Sequence, residues 1–277
     1  MALTSPRFKT SQTLVNVEAG AQTLQVGSDG RHVHLIQVAL LDLGFKLPRS
    51  TKNPKYSPDG IFGDETKQVV KEFQAKAKLK DDGIVGQKTM RELDRQLPGF
   101  SHRVKLHFRS LALTNVPFEK SLRNAEEVFG QYGIQVMFAS GESLLLTPDQ
   151  HDKFKQIDQE CNWALDSGEF NELQKLGSPA PKTDVMVFHV LTFADGNVLG
   201  CGGHAADRPA CTITASALAW DTAHEVGHVL LTSSFAPVHI EDKRNLMFPI
   251  SRSSATMPVL TNGQIAQMKK SPCCKAI

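Results

Sequence analysis

The chain has 277 residues, of which 40% are hydrophobic, and its 31 basic and 29 acidic side chains give a formal net charge of +2. This length accommodates two domains with conventional apolar cores. The near balance of charge argues against nucleic acid as a partner, because nucleic-acid-binding surfaces are strongly basic. No apolar run reaches the length of a membrane span.

Residues 1–25 are polar and show little periodicity, so we expect an extended lead-in there. The opening stretch lacks the apolar core of a secretory signal peptide. Three alternatives follow for the location. The protein stays in the cytosol, or it is exported by a route that needs no such signal, or a signal peptide precedes the residues given.

Apolar side chains recur at helical spacing in three stretches of residues 26–97. The positions are Val33, Ile36, Leu40 and Leu43, then Val69, Val70, Phe73 and Ala77, and then Met90, Leu93 and Leu97. The pattern predicts three helices. A cluster of helix-breaking residues follows, and we place a linker at residues 98–102.

Two near-identical D-G-I-x-G turns begin at Asp59 and Asp82, 23 residues apart. Each glycine can adopt backbone angles closed to other residues, and a polar helix start follows each turn. Together with Phe73 and Gln74, these turns closely resemble the peptidoglycan-binding domain of cell-wall hydrolases. The resemblance covers residues 26–97 and implies that this three-helix module binds peptidoglycan.

A related three-helix module occurs in the propeptides of matrix metalloproteases, so a structural or inhibitory prosegment is the alternative. In those enzymes the cysteine of a P-R-C-G-x-P-D segment silences the zinc ion. The present sequence has no such segment, and its first cysteine is Cys161. Wall binding is therefore the favoured interpretation.

A second predicted domain covers residues 103–277. Apolar and polar residues alternate at residues 104–108, which predicts a half-buried strand. The apolar spacing of residues 118–128 predicts an amphipathic helix, and the alternation at residues 134–138 predicts a second strand.

Residues 144–176 are polar and helical in character, and we interpret them as an insertion that shapes the cleft. The continuous apolar run at residues 185–191 predicts a central strand that is buried on both faces. Its His189 is expected to be a packed core residue rather than a metal ligand.

The glycine-rich stretch of residues 200–211 contains two of the five cysteines. A disulfide between Cys201 and Cys211 would suit an oxidising compartment, and two free thiols are the alternative. A structural zinc site that adds His204 and Asp207 to these cysteines is less favoured, because the spacing fits no known pattern.

An H-E-x-x-H motif lies in an apolar run that predicts a helix. Residues four apart lie on one face of a helix, so His224 and His228 can bind one metal ion. Glu225 lies beside them and is the candidate catalytic base, which takes a proton from the attacking water. An ordinary core helix with incidental histidines is the alternative.

The H-E-x-G-H form of this motif, followed by the segment Asn245-Leu246-Met247, resembles the metzincin metalloproteases and their Met-turn. The resemblance implies that Zn²⁺ is the cofactor and that Met247 packs beneath it without binding it. It also implies an edge strand at residues 212–215, along which extended substrates bind, and a closing helix at residues 260–268.

The third metal ligand departs from the metzincin pattern. The family places it six residues after the second histidine, whereas His239 follows His228 by 11 residues, and Leu231 occupies the position of the turn glycine. The chain must therefore leave the helix by a longer loop at residues 232–238. His239 is the favoured ligand because it keeps the family's ligand type and chain order, and Asp242 is the runner-up.

The sequence thus predicts an α+β protein with a small three-helix N-terminal domain and a metzincin-like catalytic domain that has a mixed sheet and an active-site helix. The expected function is that of a zinc-dependent endopeptidase targeted to the bacterial cell wall, which cleaves protein or the peptide part of peptidoglycan. The expected location is the periplasm or the wall.

Two other functions remain open. One is an antibacterial effector delivered to a competitor's periplasm, for which a cognate inhibitor protein would be a partner. The other is a wall-binding protein whose protease domain is inactive, which the altered spacing before the third histidine makes conceivable.

Overall fold

The computed structural model describes residues 2–52, 57–112, 116–250 and 256–277. The chain divides into two compact units. The helical unit comprises the residues up to Ser101 with the short segments Gly130–Gly133 and Thr261–Gly263, and the sheet unit comprises the rest. Within the described ranges, no helix combines the length and the hydropathy needed to cross a membrane.

The described residues of the helical unit form four helices. They are α1 (Gln12–Glu18), α2 (Arg31–Asp42), α3 (Asp64–Lys76) and α4 (Gln87–Gln96). The apolar positions that predict α2, α3 and α4 form one core, in which Val33, Ile36, Leu40, Val69, Val70, Phe73, Met90 and Leu93 are buried. The three predicted helices are therefore confirmed.

Helix α1 corrects the expectation of an extended lead-in. The Ser11 side chain caps the helix by accepting a hydrogen bond from the Leu14 backbone N–H. Leu14 and Val17 are fully buried in the core of the helical unit. The prediction was wrong here because a helix of seven residues with two buried apolar side chains is too short to give a periodic pattern.

A buried glutamine closes each of the two D-G-I-x-G turns. In the second turn, the Gln74 side-chain amide lies within hydrogen-bond distance of three oxygens, those of Asp82, Ile84 and Thr89, at 3.1, 2.9 and 3.0 Å. Its carbonyl oxygen accepts the Gly83 N–H at 2.8 Å. Gln37 makes the same four contacts in the first turn, to Asp59, Ile61, Thr66 and Gly60.

The turn glycines adopt conformations that a side chain would strain. Gly60 has a φ of +72° and Gly83 a φ of +74°, in the left-handed region. A Cβ atom at Gly83 would lie 2.7 Å from Cγ of Lys67. The repeated sequence motif is therefore a repeated backbone geometry, which the glutamine amides fix.

The sheet unit is built on a mixed sheet. Its strands are β1 (His102–Ser110), β2 (Ile134–Ser143), β3 (Val185–Val190), β4 (Gly200–Cys201), β5 (Ala210–Thr214) and β6 (Lys275–Ala276). The strand order is β2-β1-β3-β5-β4, and β6 pairs with β1. Strands β2, β1, β3 and β5 are parallel to one another, whereas β4 is antiparallel to β5 and β6 is antiparallel to β1. The predicted α+β class with a mixed sheet is confirmed.

The described residues contain five further helices, which are α5 (Phe118–Gly130), α6 (Pro148–Phe154), α7 (Gly168–Leu173), α8 (Asp221–Leu231) and α9 (Asn262–Met268). Every residue of β3 and β5 is buried, as expected for central strands covered on both faces. His189 lies within β3 and is 4% exposed, in agreement with the predicted core position. Helix α8 contacts β3, β4 and β5, so the H-E-x-x-H motif lies directly against the sheet.

The strand predicted at residues 212–215 is not an edge strand. It belongs to β5, which lies between β3 and β4, so β4 forms that edge of the sheet. The prediction was wrong because β4 has only two residues, Gly200 and Cys201, and gives no alternating pattern.

We expect Gln74→Leu to destabilise the helical unit by about 3 kcal/mol or more, because it leaves the Gly83 N–H and three oxygens without their buried partner. The measurement is the transition temperature of the intact protein by calorimetry. Gln68→Leu on the same helix is the matched control, since the exposed Gln68 bonds only Glu72. Equal effects of the two substitutions would contradict the structural role of Gln74.

Candidate metal centre and its cleft

Three histidine side chains converge beside helix α8. His224 and His228 project from the helix and His239 from the loop that follows it, and their ligating nitrogens lie within 4.8 Å of one another. The Nε2 atoms of His224 and His228 are 3.0 Å apart, and those of His228 and His239 are 3.1 Å apart. The structure thus brings together the three residues that the sequence proposes as metal ligands.

The protonation of these rings suits a metal ion. Burial lowers the pKa of His224 to about 4 and that of His228 to about 2, and it lowers the pKa of His239 as well. All three rings are therefore neutral at pH 7, the form that binds metal. The Nδ1 atom of His224 lies 2.7 Å from the Leu246 carbonyl oxygen, which can only accept a hydrogen bond, so Nδ1 carries the proton and Nε2 is free to bind.

The distances between the rings also suit zinc. Two Zn–N bonds of about 2.0–2.1 Å at a tetrahedral angle separate their nitrogens by about 3.3 Å. The separations from His228 to His224 and to His239, 3.0 and 3.1 Å, are close to this value. Neutral imidazole is among the ligands that zinc prefers. The donor set therefore fits a zinc ion with three protein ligands.

The chain leaves helix α8 through a residue with unusual backbone angles. Thr232 has a φ of 62° and a ψ of 167°, and its N–H donates to the His228 carbonyl. A φ in this range favours glycine, so Thr232 is strained. The turn comes one residue after Leu231, and residues 233–238 then lead to His239. This loop accounts for the 11-residue spacing between His228 and His239.

The segment around Met247 packs tightly under the helix. Met247 is fully buried. A Cβ atom at Gly227 would lie 2.7 Å from the Met247 sulfur, so a larger residue between the two histidines would force the Met247 side chain to move. The neighbouring Leu246 supplies the carbonyl that orients His224.

A buried amide pair fixes this segment. Asn245 and Gln264 exchange two hydrogen bonds of 3.0 and 3.1 Å, and the Asn245 side chain also accepts the Met247 N–H at 2.8 Å. Both residues are nearly inaccessible to solvent. The sequence gives no signal for this pair, because Gln264 lies in a polar stretch and pairs across 19 residues.

Glu225 lies on α8 next to the cluster and is 7% exposed. Burial, and secondarily the negative charge of Asp221 one turn earlier, raise the pKa of Glu225 well above its ordinary value, and a hydrogen bond from the Gly202 N–H opposes this shift. The carboxyl group is therefore a stronger proton acceptor than an exposed glutamate.

The glycine-rich stretch of residues 200–203 is in close contact with α8 and with the insertion at residues 144–176. A Cβ atom at Gly200 would lie 2.5 Å from Cγ of Glu225, and one at Gly202 would lie 2.3 Å from Cβ of His228. A Cβ atom at Gly203 would lie 1.9 Å from the Asn162 carbonyl oxygen. These three glycines form a wall of the cleft that the sequence did not assign to the site.

The disulfide alternative at this wall is corrected. Cys201 is bonded to Cys161, 40 residues earlier, and Cys211 is a buried free thiol. The structural zinc alternative is wrong for the same reason, since Cys201 has no free thiolate. Sequence spacing could not identify the pair, because Cys161 lies in the insertion and reaches β4 only through the fold.

A cavity of about 660 Å³ opens beside the three histidines. Its walls come from the Cys161–Trp163 segment, the stretch from Asn197 to Gly203, and residues on either side of the histidine cluster. The Trp163 ring meets the His228 ring edge to face, with 5.4 Å between centroids. The predicted insertion thus contributes to the cleft directly, and Glu225 lines it together with the histidines.

Comparison with known proteins identifies the helical unit. Residues 29–93 match the family model described as "Putative peptidoglycan binding domain". Two curated relatives from Bacillus licheniformis each match between a quarter and a third of the chain. The "Probable N-acetylmuramoyl-L-alanine amidase" is 43% identical over 70 residues, which is 25% of this chain and 18% of the relative. The "N-acetylmuramoyl-L-alanine amidase CwlL" is 37% identical over 84 residues, 30% of this chain and 22% of the relative.

The chain therefore spans about a fifth of the length of these curated relatives. Among solved structures, a peptidoglycan-binding protein from Clostridioides difficile, crystallised with glutamine hydroxamate, is 30% identical over 27% of this chain and 42% of its own, with a TM-score of 0.24. Archaemetzincin from Methanopyrus kandleri is 15% identical over 61% of this chain and 88% of its own, with a TM-score of 0.33. That TM-score is too low to establish a shared activity. Residues 29–93 are thus similar to a putative peptidoglycan-binding domain.

The third ligand is testable by metal analysis of purified variants. We expect His239→Ala to lower zinc affinity by more than the roughly 10- to 100-fold that loss of an outer-shell partner causes. Asp242→Ala and His204→Ala should keep zinc, since the Asp242 carboxylate pairs with Arg244 at 3.0 Å and a His204 ring nitrogen lies 2.7 Å from the Ala205 carbonyl. Full zinc occupancy in His239→Ala would show that another residue completes the site.

The cleft wall gives a second prediction. Cys161→Ser should leave zinc content unchanged, lower stability by about 2–4 kcal/mol and raise KM, because the Cys161–Trp163 segment is no longer bonded to β4. Thermal unfolding and steady-state kinetics are the measurements. The double variant Cys161→Ser/Cys201→Ser should raise KM no further, since both substitutions remove the same bond. A clear additional increase would contradict this role.

Proposed function

We propose that this protein is a zinc-dependent endopeptidase targeted to the bacterial cell wall. The observation that carries the proposal is the convergence of three neutral imidazole Nε2 atoms beside a buried glutamate, in a cavity of about 660 Å³. Residues 29–93 of the same chain are similar to a putative peptidoglycan-binding domain. We propose residues 26–97 as the wall-binding domain and residues 103–277 as the catalytic domain.

The histidines and the glutamate have separate roles in this proposal. His224, His228 and His239 bind the zinc ion, which when bound polarises the scissile carbonyl and makes the attacking water more acidic. Glu225 accepts a proton from that water on its carboxylate and returns one to the leaving amine. Met247 supports the site by packing and binds nothing.

The wall-binding domain supports the choice of substrate class. The curated relatives are named as N-acetylmuramoyl-L-alanine amidases, and they match 25% and 30% of this chain. Their similarity to this chain supports binding to the wall. The proposed reaction is argued from the histidine cluster alone. We propose a peptide bond as the target, either in a wall-associated protein or in the peptide part of peptidoglycan, and the periplasm or wall as the location.

The proposal is tested by incubating the purified protein with peptidoglycan and with casein, each with and without a chelator. We expect peptide-bond cleavage of at least one substrate, loss of cleavage with the chelator, and recovery when zinc is added back. Mass spectrometry of the released fragments identifies the bond. Wall binding without any cleavage would favour the inactive wall-binding protein instead.

The variant Glu225→Gln tests whether zinc binding and catalytic turnover depend on different residues. The variant should retain zinc because the three imidazoles are unchanged, and it should lose turnover by a factor of about 10² to 10⁴ because the amide cannot accept the proton. Metal analysis and kcat measured on the same preparation decide the outcome. Activity near that of the unmodified protein would remove Glu225 from the mechanism.

A further inference from the structure

The two D-G-I-x-G repeats of the helical unit differ in the connection that precedes each turn. The closing glutamine and the turn aspartate are 22 positions apart in the first repeat, as Gln37 and Asp59, and 8 apart in the second, as Gln74 and Asp82. The hydrogen bonds that close the turns are the same. The additional residues of the first connection are therefore not needed to build the fold.

The described part of this longer connection is fixed in place. The Glu65 carboxylate, in the first turn of α3, accepts the backbone N–H groups of Arg49 and Ser50 at 2.8 and 2.7 Å. The Thr51 hydroxyl donates to the Leu47 carbonyl at 2.7 Å, and Leu47 is buried in the core. The described part of this additional connection is thus held against α3, and a binding site needs such fixed support.

A cleft of about 640 Å³ lies between this connection and α3. Its lining combines an apolar part with charged groups on both sides. Phe45, Pro48 and Val69 are apolar, Lys46 and Arg49 lie on the loop side, and Asp64 and Glu72 lie on the helix side. Glu65 also lines the cleft, as a fifth charged residue. The other four are exposed, and among the described residues no ion pair joins these four across the cleft.

We propose that this cleft is where the domain binds the wall, and that it takes the peptide stem of peptidoglycan rather than the sugar strand. The stem carries free carboxylates, an amino group and peptide amides, whereas N-acetylated sugars are uncharged. Lys46 and Arg49 contact the carboxylates, and Asp64 and Glu72 contact the amino group. This inference rests on the wall-binding part of the proposed function.

Co-sedimentation with purified insoluble peptidoglycan tests the site. The protein used is the full chain with Glu225→Gln, so that the wall is not digested. We expect the added substitutions Lys46→Glu and Arg49→Glu to weaken binding at least about tenfold, because two attractive charges become repulsive towards carboxylates. Glu72→Lys, on the opposite side of the cleft, should also weaken it.

The matched control is Lys9→Glu with Lys88→Glu, which changes the net charge equally at two exposed positions of the helical unit that do not line the cleft. It should change binding less than about twofold. If the parent protein does not sediment, the wall-binding role itself fails. If it sediments and the cleft variants bind as well as the control, the proposed site is wrong.

Competition distinguishes the two parts of the wall polymer. A soluble stem peptide should displace the parent protein from peptidoglycan, and a soluble oligomer of N-acetylglucosamine should not. Displacement by the sugar oligomer alone would overturn the assignment to the peptide. Unchanged melting temperatures of the charge variants show that any loss of binding does not come from unfolding.

Discussion

Helix α8 is in close contact with the segment around Met247 and with the glycine-rich wall of the cleft. A Cβ atom at Gly227 would lie 2.7 Å from the Met247 sulfur, and Cβ atoms at Gly200 and Gly202 would lie 2.5 and 2.3 Å from side-chain atoms of Glu225 and His228. Close-packed interiors transmit displacement, so a single methyl group at any of these positions would move the helix or its neighbours. The placement of all the site's side chains on α8 depends on these contacts.

The same packing sets the protonation of the site. Removal from water disfavours charge on every group, so it lowers the pKa of His224 and His228 and raises that of Glu225. One physical cause therefore leaves the histidines as free ligands and makes the glutamate a stronger proton acceptor. A cation bound by the imidazoles would favour the ionised carboxylate next to it.

Much of the fold could be predicted from the sequence, because long amphipathic helices and buried strands repeat a simple pattern. The spacing of the H-E-x-x-H motif likewise dictates that His224 and His228 share a face. The missed features depend on single contacts between distant residues. The bond between Cys161 and Cys201 joins residues 40 positions apart and leaves no periodic trace. Gln74 belongs to the motif that the sequence shows, but the hydrogen bond by which it closes the turn is visible only in the structure. Strand β4 was missed because two residues cannot show an alternation.

The glycine wall limits how this cleft can recognise a peptide. Gly200, Gly202 and Gly203 have no side chains, so a peptide lying along them would meet main-chain atoms whatever its sequence. Two of these groups are already bonded within the protein, since the Gly202 N–H donates to Glu225 and the Gly203 carbonyl accepts from Gln174. Selectivity among side chains must then come from the other walls, above all from Trp163 and the segment at residues 197–199. The geometry thus separates a fixed part, which would accept any peptide, from a variable part, where preference for one sequence over another can evolve.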